Sequence, residues 1–481
     1  MSRDMLVRNP RTGENDYSIK PLDAVGVESI AAGLRTAQQA WLDSGVEHRC
    51  EVVRAWADAL LGRPDEVLAA LAADTGRHLV ALVEIRSLEG IVAGWCAAAP
   101  EFLRDQGERS SVTEGVGIQM QRVPYELVGV ISPWNFPFLL SMLDSIPALI
   151  AGCSVVVKPS EVTPRFIKPL VESLAGFPEL AAVFGWVEGD GATGAAMIEN
   201  VDAIAFTGSV ATGRIVAQGC ARNFIPSFLE LGGKDPAIVL PSADLDKAVR
   251  IVLRSSVQAT GQACQSLERI YVHEDRYEDF VDRLVTKAEK VALNFPDIRQ
   301  GQIGPLIFMK QAEIIAAHIE DAVQKGAEIR CGGVIENYGG GTWIRPTVLT
   351  GVDHSMLVMT EETFGPVIPV MSYRDIDEAI RLANDTKYGL SASIIGPDEE
   401  EAVAVGRCVN VGAISINDGA MTTEVYDAAH DSFLFSGMGA PRMGESGITR
   451  FMRQKALLIR HTEALGIESL EESQIQPQEK L

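Results

Sequence analysis

Three short apolar runs constrain what this chain can fold into more than any other feature: Val128-Gly129-Val130-Ile131, Ser154-Val155-Val156-Val157 and Ala203-Ile204-Ala205-Phe206. Runs without polar alternation read as strands covered on both faces, as in a parallel sheet clad by helices. Each is followed by a turn rich in proline, glycine or polar residues: Pro133-Trp134-Asn135-Phe136-Pro137, Lys158-Pro159-Ser160-Glu161 and Thr207-Gly208-Ser209-Val210-Ala211-Thr212-Gly213. Ligands collect at the carboxyl ends of such strands. Apolar residues recur at helical spacing from Leu22 to Ala73, from Leu79 to Leu103 with Trp95 and Cys96 assigned to core, and from Leu139 to Ile150. Gly115 to Leu127 alternates polar and apolar residues and reads as an extended arm. A second strand series opens at Asp235-Pro236-Ala237-Ile238-Val239-Leu240, with Asp244 suited to start the next helix. It continues through Arg269 to Val272 and helical stretches from Tyr277 to Leu293 and Lys310 to Lys325. Ile376 to Ala383, Gly389 to Ile395 and Gly412 to Asn417 complete the sheet. The fold class is α/β.

Three stretches carry candidate chemistry. Gly261-Gln262-Ala263-Cys264-Gln265-Ser266 presents one thiol among small residues after an apolar helix-like run from Ala248 to Ala259. Phe228-Leu229-Glu230-Leu231-Gly232-Gly233-Lys234 sets a carboxylate at the end of an apolar segment, before two glycines that let the backbone approach a ligand. The proline-bracketed loop holds the Asn135 amide, able to donate to a developing oxyanion. A lone cysteine is more often a small buried residue than a nucleophile. Nucleophile, general base and oxyanion donor are nonetheless all nameable as Cys264, Glu230 and Asn135.

Taken together, in this order and with an offset of 264 − 230 = 34 residues, these stretches resemble the aldehyde dehydrogenase superfamily from about Val7 to about Ile459. The resemblance implies a Rossmann-like cofactor domain (1–104 and 123–231), an α/β catalytic domain (232–445) and a small β oligomerisation arm with a C-terminal tail (105–122 and 446–481). It implies a homodimer or homotetramer, and NAD as cofactor with NADP possible. Lys158 and Glu161 would hold the adenosine ribose, Ser209 and the following helix start the pyrophosphate, and Glu362 and Phe364 the nicotinamide riboside. Ile131, Pro133, Trp134, Ser160, Phe206, Thr207, Gly208, Thr212, Leu231 and Gly232 complete the expected cofactor contacts. A solvated turn remains the plain reading of Lys158 and Glu161. A carboxylate at 161 would repel an added 2′-phosphate, which favours NAD. Gly189-Asp190-Gly191-Ala192-Thr193-Gly194 matches the dinucleotide fingerprint but lacks the acidic strand end about 20 residues on, so Gly191 is placed near the adenine at best.

Composition excludes several alternatives. A net charge of −23 argues against nucleic acid or an anionic membrane as partner. The seven cysteines never form a Cys-x-x-Cys pair and the histidines lack ligand spacing, so no disulfide framework or metal site is expected and a reduced cytoplasm suits the chain. Met1 to Val7 has no secretory-signal pattern, and no apolar run reaches membrane-span length.

The chain also departs from the family. A Lys nine residues after the loop Asn and a Glu after the closing Ser-Gly-x-Gly-Arg, thought to relay the base's proton, are replaced by Asp144 and Phe451. Either the proton leaves by another route or Asp144 acts alone. The closing segment reads Ala440-Pro441-Arg442-Met443-Gly444-Glu445-Ser446-Gly447. From Asn417 to Ser446 the chain runs 446 − 417 = 29 residues, an enlarged mouth loop. Leu140 and Leu143 match tunnel-lining positions, and Tyr426 and Phe433 of the loop add an aromatic lip unless the loop is simply solvated. The expected substrate is an aromatic or medium-to-long hydrophobic aldehyde. A polar semialdehyde, and cofactor-free ester or amide cleavage by the same cysteine, remain alternatives, as does a binding protein that has lost activity.

Overall fold

The computed structural model describes residues 4–472; Met1 to Arg3 and the glutamines of the polar tail (Gln474, Gln476, Gln478) lie outside the described residues. The three runs form neighbouring strands of a six-stranded sheet ordered Gly437–Met438, Ser227–Glu230, Ala203–Thr207, Leu127–Ile131, Ser154–Lys158, Phe184–Trp186. All pairs are parallel except Gly437–Met438 against Ser227–Glu230. The pleat explains the unbroken apolar character. Val128, Val130, Val155, Val157, Ala203 and Ala205 point into one core, while Leu127, Val156, Ile204, Phe206 and Leu229 point into another on the opposite face.

A seven-stranded sheet follows in the order Glu328–Cys331, Thr347–Thr350, Val367–Tyr373, Leu267–His273, Asp235–Val239, Ser391–Ile395, Ala413–Ile416, antiparallel only at its first pair. It too is covered on both faces: Ala237, Val239, Ile270 and Val272 face one core, and Ile238, Tyr271 and Ile394 the other. The extended arm is the middle strand of a three-stranded antiparallel sheet, in which Val116–Pro124 lies between Met452–Arg460 and Glu108–Ser110.

Two expectations about helices are corrected. Ile376 to Ala383 is not a sheet strand but the helix Ile376–Asn384, whose Ala379, Leu382 and Ala383 are buried at helical spacing and whose first turn is capped by Asp375 accepting from the Glu378 N–H at 2.9 Å. The helix before the candidate thiol stops at Val257 rather than running to Ala259. Asp244 does cap its start, accepting from the Lys247 N–H at 3.1 Å. Gly437–Met438, numbered with the catalytic segment, also crosses to the first sheet. Among the described residues, no helix is long and apolar enough to cross a membrane and no cluster could hold a metal ion.

Candidate active site

Strand register builds the site. Ile131 pairs with Lys158 and with Phe206, and Thr207 with Glu230, so the predicted residues stand along one carboxyl edge. Beyond the helix Leu245–Val257, Ala259, Thr260 and Gly261 all adopt left-handed backbone, with φ of 53°, 62° and 66°. For the alanine and threonine this costs about 1–3 kcal/mol each, so the surroundings must hold it. They do: Thr260 Oγ1 exchanges 3.0 Å bonds with the Gly304 carbonyl and N–H, and Arg77 donates to the Ala259 carbonyl at 3.2 Å. The Gln262 amide is buried, donating to Pro305 at 3.1 Å and accepting from Ile307 at 2.9 Å. A reverse turn so braced delivers Cys264, half-buried and unpaired, to the edge of the first sheet.

The three candidate catalytic residues converge there. Asn135 Nδ2 donates to the Gln262 carbonyl at 3.0 Å, which leaves its second amide hydrogen for a ligand. A Cβ on Gly233 would lie 2.6 Å from the Cys264 carbonyl oxygen, so the glycines after Glu230 are what let the thiol segment close on that strand. Burial pushes the Cys264 thiol up to about 12, reinforced by Glu362, Asp235 and Glu230 and opposed by Arg442. At neutral pH the sulfur keeps its proton and needs a base. Glu230 accepts from the Ser432 hydroxyl through Oε2 at 2.8 Å.

The cofactor candidates divide into two groups on this edge. Lys158 Nζ is buried, donating to the Pro159 and Gly189 carbonyls at 2.9 and 2.8 Å, with the Glu161 carboxylate 3.5 Å away on a turn and 40% exposed, so the solvated reading fails for Lys158 and holds for Glu161. Burial lowers the Lys158 ammonium, with Glu161 opposing. Ser132 at the loop start and the Trp134 carbonyl tie the proline-bracketed loop to this corner through the Lys158 carbonyl and the Thr163 hydroxyl. Ser160 accepts from the Val162 N–H at 3.2 Å. Ser209 caps the helix Val210–Arg222, accepting from the Thr212 N–H at 3.3 Å, and Gly208 N–H donates to the Glu230 carbonyl at 3.1 Å. An exposed cap residue and first-turn amides suit a phosphate, and an ammonium paired with a carboxylate suits vicinal hydroxyls. The donor set therefore fits a dinucleotide. The fingerprint-like Gly189 to Gly194 lies against Lys158, and its Asp190 is spent capping the helix that begins at the exposed Gly191.

On the opposite side, Glu362 Oε1 accepts from the Gly233 N–H at 3.1 Å, and the carboxylate fills the space a side chain at Gly232 would need. Burial, then Glu268, pushes the Glu362 carboxyl up to about 8. Phe364, with φ of 53°, packs edge-on against Trp134 at 5.3 Å between ring centroids. Leu231 N–H donates to the Ser436 carbonyl at 2.8 Å. Of the residues expected to line a substrate tunnel, Leu143 is buried within the helix Pro137–Ala151, while Leu140 and Tyr426 are half-buried against the same core, as is Trp95. Trp95 is thus less enclosed than a core assignment requires.

Sequence reasoning missed the buried charges, Asp144 excepted, which it read as a candidate proton carrier and not as an anchor. Arg77 donates to the Asn135 carbonyl, and Glu84 caps the Pro137–Ala151 helix by accepting from Phe138 and Leu139 at 3.1 Å. Glu268 accepts from the Thr363 and Phe364 N–H groups at 2.8 Å and pairs with Lys234 at 2.6 Å, holding the strained Phe364 turn. Asp144 accepts from Arg442 at 3.0 and 2.9 Å and from Arg450, and Arg442 also donates to Thr207. A charged residue inside an apolar helix, as Glu84 and Asp144 are, was the one available signal.

Residues 1–457 match the sequence model of the aldehyde dehydrogenase family, and the chain belongs to that family. A solved structure named as an aldehyde dehydrogenase from Anabaena variabilis superposes with a TM-score of 0.94 at 50% identity, covering 97% of this chain and 99% of that one. A protein of Mycobacterium tuberculosis named as an NADP-dependent succinate-semialdehyde dehydrogenase is 33% identical over 97% of this chain and 89% of its own length. A 4,4'-diapolycopene aldehyde oxidase from Methylomonas is 35% identical over 88% of this chain and 78% of its own length.

Proposed function

We propose that the chain oxidises an aromatic or medium-to-long hydrophobic aldehyde to its carboxylic acid, using NAD and a covalent Cys264 intermediate. The observation that carries the substrate class lies beside the thiol: Arg442 and Arg450, buried cations on which Glu230 also acts, both bind Asp144. Both are held on Asp144, Arg442 through Nε and Nη2 and Arg450 through Nη2 with its buried Nε left without a partner, and Leu140 and Tyr426 offer apolar surface. The competing reading, a carboxylate-bearing semialdehyde, draws on the name of the mycobacterial relative and would need a free cation here.

Cys264 adds to the aldehyde carbon as its thiol proton passes to Glu230, and the second Asn135 hydrogen meets the developing oxyanion. Glu362 and Phe364 orient the nicotinamide end, while Lys158, Glu161 and Ser209 hold the adenosine and phosphates. The cofactor, when bound, accepts the hydride. The resulting thioester is hydrolysed by water that Glu230 deprotonates. A carboxylate at Glu161 would repel an added 2′-phosphate, which supports NAD over NADP. The arm sheet, with Leu457 and Leu458 exposed, is the proposed surface for self-association into a dimer or tetramer.

The test is NADH formation across a series from acetaldehyde through hexanal to benzaldehyde, with Cys264→Ala as control. At about 0.8 kcal/mol per methylene buried, kcat/KM is expected to rise roughly 10²-fold from the two-carbon to the longer aldehydes. A maximum at acetaldehyde or at succinate semialdehyde would overturn the substrate assignment. Ester hydrolysis without nucleotide exceeding dehydrogenation would overturn the reaction.

A further inference from the structure

The enlarged loop returns to the site. Its strand Phe433–Leu434 pairs with Tyr388–Gly389, beside the second sheet, and Gly437–Met438 pairs with Leu229 and Glu230 on the edge of the first. Between them Ser436 is buried, accepting from the Gly389 N–H at 3.0 Å through its hydroxyl and from the Leu231 N–H at 2.8 Å through its carbonyl. The loop is thereby fastened on both sides of the cleft. Glycines permit that closeness: a Cβ on Gly389 would lie 2.7 Å from the Phe433 Cβ, and Gly412 meets the Asp431 carbonyl more closely still. Gly437 stands directly opposite Glu230 in the register, and a Cβ there would lie 2.5 Å from the Ser432 Cβ. The missing side chain at 437 makes the space through which Ser432 reaches Glu230.

From this geometry we propose that Ser432 is a positioning residue for the general base: the mouth loop holds Glu230 by one oxygen and leaves the other for chemistry. Ser432 donates to Oε2 at 2.8 Å, and among the described residues nothing donates to Oε1. A glutamate carboxylate at a strand end has rotamers that aim it toward or away from the thiol, and a fixed donor selects one. The other titratable groups facing Glu230 are the Arg442 and Arg450 cations from the closing segment and the protonated Cys264 thiol from its turn. None of them donates a hydrogen bond to it, so among the described residues Ser432 is the one donor that orients it. In hydrolysis Oε1 takes a proton from water as the C–O bond forms. The C–S bond then breaks, and that proton returns to the Cys264 sulfur.

The inference rests on Glu230 being the deacylation base, so Glu230→Gln is measured alongside. Ser432→Ala should keep the full amplitude of the NADH burst, formed more slowly because Glu230 also takes the thiol proton, while steady-state kcat falls about 10- to 100-fold, the size expected for loss of a hydrogen bond to a charged group, with KM changed less than about twofold. Ser432→Thr, which restores the hydroxyl, should recover kcat to within about threefold. Gly437→Ala should reproduce the alanine phenotype although the hydroxyl is present, because it pushes the loop away. Unchanged turnover in Ser432→Ala, loss of burst and turnover in parallel, or failure of Ser432→Thr to rescue would each overturn the positioning role. If Glu230→Gln itself turns over at the normal rate, the assignment of the base fails. If Glu230→Gln stalls after its burst while Ser432→Ala does not slow, only the role of Ser432 fails.

Discussion

Replacing Asp144 with asparagine keeps the shape of the side chain and removes the one charge shared by Arg442 and Arg450. Asp144 is 1% exposed, and the two arginines 9% and 6%. Deleting one partner of a buried ion pair costs about 3–5 kcal/mol, because the charge left behind is uncompensated. Here two guanidinium groups lose their anion together, and the remaining carboxylate acting on both is Glu230. The upper half of that range is therefore expected, a large part of a total stability of about 5–15 kcal/mol. Urea unfolding of the intact enzyme, followed by tryptophan fluorescence, should show a markedly lower midpoint for Asp144→Asn. Turnover per folded molecule, read below the transition, should fall less than about tenfold, because both Asp144 oxygens are engaged as acceptors and the residue acts as an anchor. A variant with an unchanged midpoint that stalls after a normal NADH burst would show that Asp144 carries the base's proton, and the anchor argument would be wrong.

Asn135→Ala should lower kcat/KM by about 10²–10³-fold, the loss typical of one oxyanion donor; more than a tenth of the normal value retained would place the oxyanion elsewhere. The pH dependence of Cys264 follows from burial: a thiol pushed up to about 12 holds its proton at neutral pH. Its thiolate fraction should then climb about tenfold per pH unit, and inactivation of nucleotide-free enzyme by iodoacetamide should keep accelerating from about pH 6 to about pH 9. Levelling off near about pH 8 would show an ordinary exposed thiol.

The architecture was legible because two-sided burial writes itself into consecutive residues: Val155, Val156 and Val157 are apolar in a row because successive side chains enter different cores. The convergence of Glu230, Asn135 and Cys264 was legible for a related reason, since glycine and proline mark where backbone must turn or approach. Gly233 against the Cys264 carbonyl is such a case. Ile376 to Ala383 was misread because a short apolar-and-acidic stretch satisfies either period until the Asp375 cap and the buried stripe decide it. The left-handed turn at Ala259 and Thr260 left no mark at all, as neither residue favours that conformation and what holds it comes from Arg77, Gly304 and Pro305.

Buried charge was the least legible element, because its meaning lies with partners far along the chain. Asp144 and Arg442 are 298 residues apart in sequence, and Ser432 and Glu230 are 202. Read alone, Asp144 looks like a broken relay and the 418–445 loop like a surface insertion. Read together, the same departures are consistent with one another. Arg442 and Arg450 require an anion at position 144, and with Asp144 so occupied the base is left to be oriented from elsewhere. The enlarged loop supplies that orientation through Ser432, reached past the side-chain-free Gly437. A loop pinned by backbone pairing to Tyr388–Gly389 and to Leu229–Glu230 can do this without moving.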